Sequence, residues 1–295
     1  MWAVFAFMAP NLAWASTGSS GGNAGETLLI MSSARSEGML AAVAGGGGLN
    51  GLARNPASLA GQDYRAVSGS YSSLLAGASM GQLEAGFPAG PLVLAVLLGN
   101  FNAGEIDMVA DGGGMKKVQT QNDIVVGGSV AMPIIAGISA GLTMKWYRST
   151  LVETYSATTQ LFDAGIKYDI LEGDLSFGGA IRNIGGSLKY YSSAMSIPVE
   201  YAVGSCWIPW HNNNDRVEVL VEAAKMPNNA AKYLVGTEVV FRGVLILRGG
   251  VGVRSGLADA SIGAGLRFRS YGFDFARVSQ PGLPASSRVS AEVRF

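Results

Sequence analysis

The feature that most constrains this chain is a hydropathy period of two that starts near residue 64 and runs to the last residue. In "DRVEVLVEAA", Val217, Val219, Val221 and Ala223 fall on one face, and Arg216, Glu218 and Glu222 on the other. "LFDAGIKYDI" sets Phe162, Ala164, Ile166 and Tyr168 against Asp163, Gly165, Lys167 and Asp169. "ADASIGAGLRFRS" sets Ile262, Ala264, Leu266 and Phe268 against Gly263, Gly265, Arg267 and Arg269. The end, "SSRVSAEVRF", does the same: Val289, Ala291, Val293 and Phe295 oppose Arg288, Ser290, Glu292 and Arg294. A period of two is the period of a β-strand whose faces meet different environments.

About 14 such segments of roughly 10 residues follow one another, the length a strand needs to cross a membrane at a tilt. They fall near 64–73, 78–88, 91–102, 121–132, 135–148, 156–170, 174–184, 197–209, 216–226, 232–242, 244–254, 259–269, 271–279 and 287–295. Tight links ("AG", "PI", "LEG", "G", "S") alternate with longer ones such as "AGEIDMVADGGGMKKVQT", "GGSLKYYSSAMS" and "PGLPASS". Short turns at one end and loops at the other are the pattern of a transmembrane antiparallel β-barrel. The expected fold class is therefore all-β, with the barrel over residues 64–295. An even strand number puts both chain ends in the periplasm. A soluble β-sandwich would alternate equally well. It would not account for the apolar composition (48% hydrophobic, 14% charged), the regular strand spacing, or the leader described below.

The uncharged run 124–144, "IVVGGSVAMPIIAGISAGLTM", is long enough for a membrane helix. Pro133 and the pair Gly127-Gly128 argue against one, and the run reads as two strands meeting around Met132-Pro133-Ile134. The net charge of zero gives no reason to expect a nucleic acid partner. Cys206 and His211 are the only residues of their kinds, which leaves little for a metal centre or a catalytic triad. His211 sits in the turn "HNNND", and Cys206 reads as a small wall residue. "GGGGLNG" and "GVGVRSG" do not open a helix after a strand, as a phosphate loop must. No cofactor and no enzymatic activity are expected. Residues 1–15 resemble the apolar end of a secretory signal: Ala13-Trp14-Ala15 fits the small-x-small cleavage rule, although no basic stretch precedes it.

Facing the expected lumen are charges of both signs: Lys145, Asp163, Lys167, Arg182, Glu218, Glu222, Glu238, Arg248 and Arg267. One reading pairs them to hold the interior together; the other makes them a polar pathway. The closing aromatic, Phe295, is placed where an assembly machinery would read an outer-membrane barrel's last strand by strand addition.

Residues 16–63 do not alternate. They contain Ala34-Arg35, Met39-Leu40-Ala41, the glycines 45–48 and the run Asn55-Pro56-Ala57-Ser58-Leu59-Ala60. This order resembles the segment "ARxxxMGxA…NPAxLA" that precedes the first strand in the PorV/PorQ-like barrels of the FadL superfamily. "IVVGGSVAMPIIAGISAGLTMKWYRS" and "FDAGIKYDILEGDLSFGGAIRNIGG" resemble that family too. One departure is Leu40, where the family usually has glycine. The resemblance implies an outer-membrane barrel of 14 strands in which residues 16–63 form a plug, with Asn55, Pro56 and Ala57 as its motif. It implies two alternative roles: passive transport of hydrophobic small molecules beside the plug with a lateral exit, or binding of exported proteins within a type IX-like secretion system. Outer-membrane lipid and the barrel-assembly machinery are the further partners it implies.

Overall fold

The computed structural model describes residues 24–109, 114–227 and 229–295, so the signal-like residues 1–15 lie outside it. The strands are β1 (Ala66–Ser73), β2 (Ser79–Ala89), β3 (Leu92–Asn102), β4 (Glu105–Val109), β5 (Met115–Gln119), β6 (Gln121–Ile135), β7 (Ile138–Leu151), β8 (Tyr155–Ile170) and β9 (Leu175–Gly185). They continue as β10 (Ser187–Lys189), β11 (Ala194–Ser196), β12 (Glu200–His211), β13 (Arg216–Lys225), β14 (Lys232–Phe241), β15 (Leu245–Arg254), β16 (Leu257–Phe268), β17 (Tyr271–Gln280) and β18 (Leu283–Arg294). Two short helices, α1 (Ala34–Met39) and α2 (Leu49–Leu52), precede them.

Fourteen of these strands close into one antiparallel barrel, in the order β1-β18-β17-β16-β15-β14-β13-β12-β9-β8-β7-β6-β3-β2. Closure is made by β1, which pairs with β2 on one side and with β18 on the other, Ala66 opposite Arg294 and Ser73 opposite Ser287. The ladder extends one step further, because Arg65 and Phe295 exchange both backbone bonds, at 3.1 and 2.9 Å. A closed wall leaves no strand edge unpaired, as hydrocarbon surroundings require.

The two faces separate as the period of two dictates. Glu238 and Glu222, pointing inward, are 1% and 2% exposed, whereas Val221, Leu266 and Phe268, pointing outward, are 50%, 53% and 64% exposed. Val96, Leu142, Phe162 and Val289 continue the exposed apolar surface on other strands. A soluble monomer rarely shows an apolar surface wider than about 300–600 Å², so this outer belt is a surface for lipid.

The links at the end carrying Arg65 and Phe295 (the terminal end) are all short: residues 90–91, 136–137, 171–174, 212–215, 242–244 and 269–270. The opposite, loop end holds the β4–β5 hairpin and the β10–β11 hairpin. The latter folds inward: Leu188 of β10 is fully buried beside Leu28 and Leu161, and Ala24 N–H donates to Ser196 O at 3.0 Å.

Three expectations about boundaries are corrected. Met132-Pro133-Ile134 is not a turn: β6 runs through it to Ile135, and the turn is Ala136-Gly137, where Gly137 takes a φ of 75°. Pro133 is accommodated because the β6–β7 register slips between Pro133 and Ile135, an irregularity that tolerates a missing donor. "PGLPASS" is not a loop either. Only Pro281-Gly282 turn, and Leu283–Ser287 already belong to β18, again across a register slip. Strands β6 and β8 span 15 and 16 residues, longer than the expected 121–132 and 156–170, while β7 keeps its expected length of 14 but begins three residues later, at Ile138.

Candidate functional site

Residues 24–63 are enclosed by the wall and descend from the loop end to the terminal end. Near the loop end, Thr27 Oγ1 donates to Asp123 Oδ2 at 2.6 Å, and Tyr147 OH donates to the same oxygen at 2.7 Å. Helix α1 follows, capped by the Ser33 hydroxyl, which accepts from Ser36 N–H at 3.2 Å. It ends at Leu40, whose φ of 59° is left-handed. This is the position where the resembling family has glycine, and a side chain there carries a strain of about 1–2 kcal/mol. The Met39 carbonyl sits so close to Gly236 and Gly250 that a Cβ on either would overlap it.

The Asn55-Pro56-Ala57 run forms a turn pressed on the wall. Asn55 Oδ1 accepts from Ala57 N–H at 3.0 Å. Its Nδ2 donates to Val43 O at 2.7 Å and to Ile166 O, on β8, at 3.1 Å. A Cβ at Gly165 would overlap Asn55 Oδ1, and one at Gly141 would overlap the Pro56 carbonyl carbon. Bare backbone at these wall positions is what lets the turn dock. The glycine run has a divided use. Gly46 and Gly48 take φ of 86° and 66°, while Gly45 lies against Leu220.

The nine charged residues expected in the lumen all sit on the inner face, and they are joined into pairs. Lys145 Nζ lies 2.7 Å from Asp163 Oδ1, and Lys167 Nζ 2.9 Å from Asp169 Oδ1. Arg182 Nη2 lies 2.7 Å from Glu200 Oε2. Arg248 bridges Glu238 at 2.6 Å and Asp274 at 2.7 Å, and Arg267 meets Asp274 at 2.9 Å. Glu218, Glu222 and Glu238 also reach the inner segment. Arg35 contacts Glu218 and Glu238, each at 2.8 Å. Arg54 contacts Glu222 at 2.6 Å, and that carboxylate also accepts from Ala42 and Val43 N–H at 2.7 and 2.9 Å. Glu37 contacts Arg288 at 2.8 Å. Burial opposes the charge on Arg35, but Glu238 and Glu218 outweigh it and hold the guanidinium pKa above its ordinary value. For Glu37 burial wins over Arg288, and the carboxyl pKa is raised. His211 is exposed, 3.2 Å from Asp174, and Cys206 Sγ donates to Glu218 Oε1 at 3.0 Å.

The inner segment's charges, Arg35, Glu37 and Arg54, were not among the expected site residues, since their partners lie far along the chain. Nor was Asn183. A bulge between β8 and β9 turns Arg182 and Asn183 inward in succession. Asn183 adopts a φ of 61°, its N–H donates to Asp163 Oδ1 at 2.7 Å, and its Oδ1 accepts from Lys145 at 2.6 Å.

Cavities lie on either side of the segment. At the loop end one of about 670 Å³ is lined by apolar Leu29, Ile30, Leu40, Leu74, Phe101 and Leu283, with Lys232 and Arg254 among its polar residues. At the terminal end another of about 1260 Å³ is lined by Gly45 to Gly48, Tyr64, Lys167 and Arg267.

A closed 14-strand wall, apolar outside and ion-paired inside around a chain segment, is the architecture of an outer-membrane β-barrel. Among solved structures, the chain is similar to the Pseudomonas putida toluene transporter TodX: TM-score 0.62, 12% identity, covering 89% of this chain and 96% of that one. It is similar to the CymD monoaromatic hydrocarbon channel, with TM-score 0.60 and 13% identity over 90% and 97% of the two chains. A Pseudomonas aeruginosa FadL homologue gives TM-score 0.60 and 11% identity over 90% and 98%. The fold is thus that of the FadL-type barrels. No protein-family model and no curated protein matches the sequence.

Proposed function

We propose that this protein is a passive outer-membrane transporter of hydrophobic small molecules, with the loop end outside the cell and residues 24–63 acting as the plug. The observation that carries this reading is the loop-end cavity. Its apolar walls come from the plug (Leu29, Ile30, Leu40) and from the barrel (Leu74, Phe101, Leu283) together, so an apolar solute entering there contacts the plug at once. The same cavity also carries the charged Glu26, Glu37, Arg54, Glu200, Lys232 and Arg254, polar groups that would orient a solute lying against the apolar walls. The similarity to barrels described as hydrocarbon channels supports the same reading. The lipid-facing belt and the paired Phe295 at the periplasmic end support outer-membrane lipid and the barrel-assembly machinery as partners.

A second reading, a PorV-like component that binds exported proteins, has one observation of its own. The β4–β5 hairpin exposes Ile106, Val109 and Met115, at 47%, 69% and 74%, beyond the barrel mouth. Mass spectrometry of material co-purified with the detergent-solubilised barrel separates the two. Transport predicts bound lipid-like or aromatic compounds, and a protein bound in stoichiometric amount would favour the second reading.

A further inference from the structure

Two consecutive links at the terminal end repeat one dipeptide. Phe241-Arg242 leads from β14 into the turn to β15, and Phe268-Arg269 leads from β16 into the turn to β17. In both, the arginine takes the left-handed backbone, with φ of 51° and 54°. Glycine or asparagine fills such a turn position with less strain, so a long charged side chain stands there against local preference. An outlier of this kind points to a use for the side chain.

Both arginines are exposed. The nearby inward arginines are paired, Arg267 with Asp274 and Arg294 with Glu292, but among the described residues Arg242 and Arg269 form no ion pair. Arg269 Cζ lies 5.3 Å from the centre of the Phe268 ring, a ring exposed on the lipid-facing side, so the guanidinium is held over the outer side of the rim. Asp215 accepts the Arg242 N–H at 2.6 Å, a bond that fixes that turn through its backbone. No other strand link at this end carries an arginine or lysine. The β8–β9 link has Glu172 and Asp174, the β12–β13 link has Asp215, and the links at 90–91 and 136–137 are uncharged. The two cationic turns are neighbours in the barrel order, spaced about 10 Å across the strands. Beside them the wall supplies an apolar row. Phe241 stands opposite Leu245, Leu245 opposite Leu266, and Leu266 opposite Phe273, and all four are exposed.

We propose that these two turns and this row form a site for one anionic phospholipid, of the phosphatidylglycerol class, in the leaflet at the terminal end. Arg242 and Arg269 hold the headgroup phosphate, which a guanidinium matches with paired hydrogen bonds. An acyl chain lies along the row from Phe241 to Phe273. Exposed aromatic rings at the end of a barrel wall mark the interface between hydrocarbon and headgroups, so Phe241, Phe268 and Tyr271 set the arginines beside them at headgroup height. The row is continuous with the lipid-facing belt, which favours a lipid over a soluble acidic protein as the occupant. The proposal rests on the wall lying in a membrane and is independent of what the barrel transports.

The test is native mass spectrometry of the full-length barrel in detergent, titrated with dioleoyl phosphatidylglycerol or dioleoyl phosphatidylcholine. An arginine beside anionic headgroups is worth roughly fivefold in affinity, so the wild type should bind a single phosphatidylglycerol about tenfold or more tightly than phosphatidylcholine. Arg242→Asn/Arg269→Asn, which suits the left-handed turns, should abolish that preference while heat-modifiable gel mobility shows an intact barrel. Glu172→Gln, elsewhere on the rim, should leave the preference unchanged. If the double variant does not fold, Arg269→Asn alone should lower the preference several-fold. Equal binding of the two lipids by the wild type would overturn the proposal and leave the turns to a soluble acidic partner. A preference that survives the arginine substitutions, or phosphatidylglycerol displaced by millimolar glycerol phosphate, would overturn it as well.

Discussion

Arg35 Nε donates to Glu238 Oε2 at 2.8 Å, tying the enclosed N-terminal segment to a wall residue 203 positions later in the chain. The same guanidinium reaches Glu218, and Arg216 and Arg248 also contact Glu238. Removing Arg35 strips one cation from two buried carboxylates. Breaking a buried pair from one side costs about 3–5 kcal/mol, and the remaining arginines put this case at the low end. Arg35→Ala is expected to lower the urea midpoint of unfolding accordingly, whereas Arg216→Ala, at the half-exposed rim, should cost less.

The docking of the Asn55 turn predicts an effect from adding one methyl group. Gly165→Ala places a Cβ on Asn55 Oδ1. Overpacking of this kind costs about 1–3 kcal/mol. The barrel should still form, but the plug should become sensitive to protease from the periplasmic side. Asn55→Ala should act in the same direction, since it leaves Val43 O and Ile166 O without their donor.

Arginine should be costly on both faces of the wall, but for different reasons. Arginine at Ala264 or Val219 enters lipid and should cost about 2–4 kcal/mol near the midplane. Arginine at Gly263 instead meets Gly38 of α1, and its cost is steric. Tolerance of Arg at Ala264 and Val219 in a refolding titration would contradict the assigned faces.

At the terminal-end turn after β12, the Asp215 carboxylate accepts from Arg242 N–H at 2.6 Å and from Asn212 Nδ2 at 3.1 Å. The backbone bond from Arg242, and then Asn212, hold its pKa below the usual value. A carboxylate with a lowered folded pKa stabilises above its unfolded pKa, about 3.9, and that contribution disappears as pH falls through the folded value. Asp215→Asn should therefore change stability at neutral pH and have little effect once the wild-type carboxylate is protonated. Urea unfolding at pH 7 and at pH 2 measures the difference.

Much of this was legible in the sequence because a barrel wall states its faces residue by residue. Val219 and Glu218 fall on opposite sides whatever the loops do, and Asn55-Pro56 announces a turn through proline's fixed φ. What was not legible depends on geometry between distant strands. The bulge that turns Arg182 and Asn183 inward together breaks the alternation by one residue and leaves no local mark. The partners of Arg35, Glu37 and Arg54 are set by closure of the barrel, not by spacing along the chain. Pro133 and Pro284 read as loop residues, yet both sit in strands beside register slips that dispense with their missing donors.

Deletion of residues 16–63 tests the plug role. The wall strands find their hydrogen-bond partners among themselves, so the truncated chain should still close. Its conductance in planar bilayers should then exceed that of the full-length protein severalfold. A folded, truncated barrel that conducts no better would remove the plug's occluding role.

The central claim, that hydrophobic solutes enter through the cavity shared by plug and wall, is tested most directly by uptake of radiolabelled naphthalene into cells carrying the protein in their outer membrane. The account predicts faster initial uptake than in cells without it, and loss of most of that increase in Phe101→Asp, whose side chain lines the cavity. Equal uptake with and without a correctly folded wild-type protein, or an increase that Phe101→Asp leaves untouched, would contradict it.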